Sequence, residues 1–321
     1  MAGGNFVIAW SSSQTQGMGS GIYAQRYDSS ENKQGGQFKV NSFSNDTQSN
    51  PCVAADAAGN FVIAWKSSAQ NGLIAGIFAQ RYDNNGMTVG SEFQVNSQTT
   101  GSHTRPACDM DAIGDFVVTW QSALDASSEA DIDARCFQNN GTPKGNDFQI
   151  NSHTTAYQVQ PQISMDEDGD FTISWTDQSG NDGDGNGVFA QHFDPNGDTI
   201  GGEFLVNTFT TGFQDASSVA VDVDGDVVIA WSSFPQDGSE GGVYLKNFDC
   251  CAPEFTVANA TQLTGRIINN TYQTAGNMES LQVLDGGETH YDAANCIELL
   301  AGFEVVGGTV FRAFIDGCGV N

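Results

Sequence analysis

The sequence predicts an all-β fold: a propeller-like array of five units, each about 55 residues long and four-stranded, followed by a small solenoid-like C-terminal β-module. Three observations carry this expectation. The five tryptophans, Trp10, Trp65, Trp120, Trp175 and Trp231, recur at intervals of 55 or 56 residues. Each closes a short apolar run, such as Phe61 to Trp65, which has strand length and is bounded by turn residues. The segments between tryptophans repeat one order of strand and turn signals.

One complete unit runs from Pro51 to about Arg105. Its first strand, Cys52-Val53-Ala54-Ala55, ends in Asp-Ala-Ala-Gly-Asn, where Gly59 supplies the positive φ of a tight hairpin. The second, Phe61 to Trp65, is apolar on both faces, as a strand covered on both sides must be. Phe61, Ile63 and Trp65 share one face, so the tryptophan is expected between adjacent units and not on a ligand surface. The third strand, Gly76 to Tyr82, ends in Asp83-Asn84-Asn85-Gly86. In the fourth, Phe93 and Val95 alternate with polar residues, so one face is wet.

The first unit lacks its first strand, because Met1 stands where the others have Asp56, Asp111, Asp166 and Asp222. The sequence thus begins inside a repeat, which suggests residues ahead of Met1. The fifth unit finds its fourth strand in Glu254-Phe255-Thr256-Val257. That leaves 19 strands where a closed ring of five would hold 20. The expected domains are residues 1–250, the repeat array, and 251–321, where Ala275-Gly276-Asn277 and Ala293-Ala294-Asn295 recur after 18 residues and the short runs 281–283 and 297–300 after 16.

A formal charge of −28, from 39 acidic and 11 basic residues, repels nucleic acid and anionic membrane surfaces. No apolar stretch is long enough to insert in a membrane. The seven cysteines show no zinc spacing, and four lie at or beyond the last repeat. An exported protein is expected, with a C-terminal staple such as Cys251 to Cys318 and at least one thiol left over.

Chemistry is sparse. In Asp166-Glu167-Asp168-Gly169-Asp170 and Asp222-Val223-Asp224-Gly225-Asp226, alternate carboxylates (Asp166, Asp168, Asp170; Asp222, Asp224, Asp226) suit the oxygen-only ligation of Ca2+. The bidentate Glu of a full calcium loop is absent, and the copies at Asp56 and Asp111 keep the turn without the middle acid. A plain hairpin turn is the competing reading. His103 and His153 read as repeat drift in equivalent loops, and no nucleophile, phosphate-loop or zinc-protease motif occurs.

The turn-plus-run ending in Trp175, the segment Gly76-Ile77-Phe78-Ala79-Gln80-Arg81-Tyr82-Asp83 and the run Gly201-Gly202-Glu203-Phe204-Leu205-Val206-Asn207 resemble the repeats of large secreted bacterial surface proteins, over residues 1 to about 250. The ending from Gly302-Phe303-Glu304-Val305 through Phe311-Arg312-Ala313-Phe314-Ile315 to Cys318 is similar to C-terminal modules of exported Bacteroidota proteins. The resemblance implies a secreted or cell-surface setting and brings no catalytic residues. The function expected on these grounds is non-enzymatic: an extracellular structural or adhesive protein, self-associating into filaments or oligomers through an unpaired strand edge, or binding another surface protein. The alternative is a calcium-dependent, lectin-like propeller that binds glycans.

Overall fold

In a computed structural model, the structure describes residues 4–13, 19–72, 74–123, 129–223, 225–236, 238 and 241–248, and also six short strands between 277 and 314 by their backbone alone. Blade 1 holds β1 (Phe6–Ser13), β2 (Ser20–Tyr27) and β3 (Lys33–Lys39). Blade 2 holds β4 (Gln48–Ala55), β5 (Phe61–Ser68), β6 (Ala75–Tyr82) and β7 (Thr88–Gln94). Blade 3 follows with β8 (Ser102–Met110), β9 (Phe116–Ala123), β10 (Ala130–Phe137) and β11 (Phe148–Gln149). Blade 4 has β12 (Gln158–Met165), β13 (Phe171–Asp177), β14 (Gly187–Phe193) and β15 (Thr199–Leu205). Blade 5 has β16 (Phe213–Val221), β17 (Val227–Phe234) and β18 (Gly242–Phe248). Each blade is an antiparallel meander in chain order, its strands lettered A to D (B to D in blade 1, A to C for the described strands of blade 5), the arrangement that short hairpin turns dictate. The fold is therefore the five-unit, propeller-like β-array that the tryptophan period predicts. The fourth strand of blade 5, expected at 254–257, lies outside the described residues.

The core lies between blades. Phe116, Val118 and Trp120 of β9 pack on Val62, Ala64, Ile77 and Ala79 of the preceding blade. Blade 4 repeats the arrangement with Phe171, Ile173 and Trp175 against Ile132 and Ala134. Trp65, Trp120 and Trp175 are wholly buried, as their strand parity requires. A flat aromatic face against a small-residue face lets neighbouring sheets approach closely, and each buried aromatic removes its large apolar surface from water.

Polar side chains then lock blade to blade. The D strands carry an acid that grips the loop of the blade before: Glu92 Oε2 accepts from Ser42 N at 2.6 Å, Asp147 Oδ2 from Ser97 N at 2.7 Å, and Glu203 Oε2 from Ser152 N at 2.7 Å. Asn41, Asn96, Asn151 and Asn207 accept the amide of the residue that opens each C strand's core face, at 2.7 to 2.8 Å. The recurrence of Val-Asn or Ile-Asn after each fourth strand marked these positions in the sequence.

The A–B hairpins are chained as well, with Ala57 N donating to Ala112 O and Ala112 N to Glu167 O. Two of their glycines, Gly114 and Gly169, sit against the aspartate of the preceding turn. A Cβ on Gly169 (φ +98°) would stand 3.2 Å from Asp111 Oδ2 and 3.2 Å from Pro195 Cβ. A disulfide, Cys52–Cys108, joins the inner strands of blades 2 and 3 across 56 residues, while Cys136 is a buried free thiol. Cys251 and Cys318 lie outside the described residues.

The chain forms two compact units, Met1–Ala220 with Ile229–Lys246, and Val221–Val228 with Asn247–Asn321. In the C-terminal residues, β19 (Asn277–Glu279), β20 (Val283–Leu284) and β21 (Glu288–Asp292) pair in parallel with β22 (Cys296–Glu298), β23 (Glu304–Val305) and β24 (Val310–Phe314) respectively. Two successive coils of three short strands make this a solenoid turn. Its register differs from the expected one: Val283 pairs with Glu304, 21 residues on, and not with the 297–300 run.

Gly169→Ala is expected to lower stability by about 1–2 kcal/mol, since it combines a left-handed φ with a tight neighbour. Gly202→Ala, on an open outer strand with nothing near its Cβ, should be neutral. Urea melts of the two variants read the difference. Reduction, or the Cys52→Ser, Cys108→Ser double variant, should cost up to about 4 kcal/mol for a loop of this length, measured as a shift in the denaturation midpoint.

Candidate active site

The repeat frame departs from its own pattern in blade 3, and the departures carry titratable groups. Gly21, Gly76, Gly187 and Gly242 have Asp131 as their counterpart. Asp133 stands where the other C strands have Tyr23, Phe78, Phe189 and Tyr244, the aromatics that pair across from each tryptophan. His103 stands where Gln48, Gln158 and Gln214 open the A strands.

Register brings these residues to one face. Ser122 of β9 pairs with His103 of β8 on one side and Asp131 of β10 on the other. Asp133 pairs with Trp120. Directly opposed residues of an antiparallel ladder share a face, so His103, Ser122, Asp131 and Asp133 lie on the side of blade 3 that packs against blade 2. Two residues apart on one strand, Asp131 and Asp133 have Cα atoms about 7 Å from each other. Asn151 Nδ2 donates to Asp131 Oδ1 at 2.8 Å, so the amide that caps the C strand also aims this carboxylate.

Burial pushes the Asp133 carboxyl up to about 6; the charges of Asp147 and Asp131 add to the rise, and a hydrogen bond from Ser122 opposes it. Burial also lowers His103, against the pull of the Thr100 carbonyl and the Asp147 charge, so the ring is neutral near pH 7. The proton inventory of the row follows. His103 Nε2 lies 3.2 Å from the Thr100 carbonyl, an acceptor only, so that nitrogen carries the proton. Nδ1 is then an acceptor for the Ser122 hydroxyl, 3.4 Å away. The Ser122 hydroxyl has a single proton, so it serves either His103 Nδ1 or the Asp133 carboxylate, and not both at once. A half-buried acid with its pKa raised to about 6, beside a second carboxylate, has the properties of a general acid in mildly acidic solution.

Arg135 closes the outer side. It occupies the place of Gln25, Gln80 and Gln191, donates to Val95 O at 2.8 Å and lies 3.6 Å from Asp147 Oδ1. Asp147 thus belongs to the blade clamp and keeps its charge directed at Arg135.

A second feature lies on the axis. The A strands of blades 2 to 5 each contain one non-glycine residue in the left-handed region: Asn50 (φ +51°), Arg105 (+52°), Gln160 (+58°) and Ala216 (+52°). The strand registers slip at these points in β4, β8 and β12, and Pro51, Pro106 or Pro161 follows. A bulge is where a sheet tolerates proline, which has no amide to give. These bulges line a cavity of about 400 Å³.

The acids expected to hold calcium serve their turns. Asp166 Oδ1 accepts from the amides of Asp168, Gly169 and Asp170 at 2.9, 2.8 and 3.0 Å. Asp222 Oδ1 accepts from Asp226 N at 3.0 Å, and Asp224 lies outside the described residues. Asp170 is pushed up to about 6 by burial and by the charges of Asp166, Asp194 and Asp168. Among the described residues, no three His, Cys, Asp or Glu side chains gather as a metal site. His103 and His153 are not equivalent, contrary to the reading as repeat drift: His103 opens a buried strand, and His153 sits in a loop with its ring against the Thr155 hydroxyl at 2.6 Å.

No family model matches the sequence, and no curated protein sequence matches it. Solved structures do. One is an α-L-arabinanase of Penicillium chrysogenum in complex with arabinobiose, 12% identical, covering 77% of this chain and 72% of that one with a TM-score of 0.52. Another is an α-L-arabinofuranosidase of Fusarium graminearum bound to an iminosugar inhibitor, 9% identical, covering 74% and 77% with a TM-score of 0.50. At these identities the likeness establishes the propeller fold. The expectation of a non-enzymatic structural or adhesive protein, with its lectin-like alternative, is corrected by these two neighbours, which are an arabinanase and an arabinofuranosidase. A uniform repeat shows the frame, whereas the titratable groups at 103, 131 and 133 stand where one blade breaks it.

Asp133 has its carboxyl above the ordinary value of 3.8, so between roughly pH 4 and 6 the native state binds more protons than the unfolded one, and stability falls as pH rises. Asp133→Asn is therefore expected to stabilise the protein by on the order of 2 kcal/mol at pH 7.5 and to change little at pH 3.5. Thermal melts at the two pH values measure this.

Proposed function

We propose that this chain is a glycoside hydrolase that cuts a glycosidic bond at blade 3, with Asp133 as the general acid and Asp131 as the second carboxylate. The observation that carries the reading is the pair itself: two acids on one strand face, at positions the other blades fill with glycine and an aromatic. A pair of carboxyls flanking the scissile bond is what hydrolysis of a glycoside requires. Asp133 gives its proton to the glycosidic oxygen as the C–O bond breaks. Asp131, aimed by Asn151, takes a proton from the incoming water. The proton that Asp131 takes from water returns through solvent to Asp133, which resets the pair.

The substrate class is drawn from the fold's neighbours, an arabinanase and an arabinofuranosidase: arabinan or other arabinofuranose-bearing polysaccharide. An extracellular or cell-surface setting fits a polymeric substrate, the Cys52–Cys108 disulfide and the resemblance of the repeats to secreted bacterial surface proteins. The turns at Asp166 and Asp222 remain available to a calcium ion as a structural ligand, read by a rise in melting temperature with added Ca2+ that chelation reverses.

The test is release of reducing sugar from arabinan and from aryl α-L-arabinofuranosides. Activity should fall as pH rises above about 6, because the acid must be protonated. Asp133→Asn and Asp131→Asn should each lose roughly 10²–10⁴-fold in kcat with the fold intact by circular dichroism. A wild-type chain inert on these substrates, or an Asp133→Asn variant as active as the parent, rejects the assignment.

A further inference from the structure

We propose that the axial cavity is a second ligand site, which takes a uronic acid unit, its carboxylate held by Arg105 and its hydroxyls by Asn50 and Gln160. This rests on observations separate from blade 3 and stands whether or not the hydrolase reading does. The backbone comes first. Four inner strands hold a non-glycine residue at φ between +51° and +58°. Such residues cost on the order of 1 kcal/mol each, and strain of this kind gathers where a ligand is held. The strain is repeated while the side chain is not: Asn, Arg, Gln and Ala stand at one position of successive blades. A frame kept constant under changing side chains presents a reading surface of four different groups around one space.

The chemistry of those groups selects the ligand. The Arg105 guanidinium has no hydrogen bond or ion pair among the described residues, although the chain has only 11 basic residues against 39 acidic ones. Its opposite numbers Arg26 and Arg81, at the outer rim, each bond backbone carbonyls of the next blade. The nine described residues lining the cavity include no carboxylate, and Arg105 is the one charged side chain among them. A planar guanidinium with five donors matches a carboxylate bidentately. The side-chain amides of Asn50 and Gln160 offer both donors and acceptors, the pairing that vicinal hydroxyls need. A volume of about 400 Å³ fits one or two sugar rings. The chain's charge of −28 disfavours a long polyanion, so a single acidic unit, free or at the end of a neutral chain, is the species that enters.

Calorimetric titration of the full chain with methyl α-D-galacturonate, and with methyl α-D-galactoside as its neutral counterpart, tests the proposal. The uronate should bind, weaken with added salt, and lose roughly ten- to a hundredfold in affinity in Arg105→Gln, with the galactoside weaker by a similar factor. Arg105→Gln should melt with the parent and keep any arabinan-cleaving rate, since Arg105 takes no part in the blade 3 row. No heat from the uronate at about 10-fold above typical millimolar sugar constants, equal binding of the two sugars, or unchanged affinity in Arg105→Gln would each overturn it.

Discussion

Everything in this molecule depends on the contact of one blade's Phe-Ile-Trp face with the preceding blade's small aliphatic face. A four-stranded sheet cannot bury both of its sides alone, so each blade is stable only through its neighbours. The ends of the array make the point. Phe6 and Ile8 are 36% and 47% exposed, although Phe61 and Ile63, their counterparts, are buried. Val243 and Leu245, at 82% and 66%, stand exposed where Ile77 and Ala79 are covered. The same strand sequence is core or surface according to whether a blade lies against it.

With packing assigned to the apolar faces, polar residues are free to fix angle and spacing. The acid clamps at Glu92, Asp147 and Glu203 and the asparagine caps act at the rim, and the chained hairpins act at the other end of the strands. Each is individually modest, about 1–3 kcal/mol where a charge is involved, but all recur from blade to blade. The frame is therefore held at many points, which is what allows four inner strands to keep a left-handed residue at the same height.

A frame so constrained can also host polar groups that a single sheet would not tolerate. Replacing an aromatic by Asp133 inside a blade-to-blade contact raises its carboxyl, because burial favours the neutral form. His103 and Ser122 give that acid partners, and Asn151, already present as a cap, gives Asp131 its orientation. Blade 3 thus sets titratable groups at structural positions and keeps the antiparallel pairing of its strands.

The number of units, the strand order, the tight turns and the burial of the tryptophans were legible in the sequence, because each depends on periodicity over a few residues. The substitutions at positions 103, 131 and 133 were legible too, as breaks in that periodicity, but their meaning was not. His103, Ser122 and Asp133 come from three strands, and only pairing puts them in one row. The same holds for Cys52 and Cys108, which occupy non-equivalent positions of the repeat, and for Arg105, whose place on the axis follows from a bulge. Sequence determined what each blade is, since strand and turn chemistry is local; tertiary structure decided what the blades do together, since charge, burial and proton position depend on the neighbour across the gap.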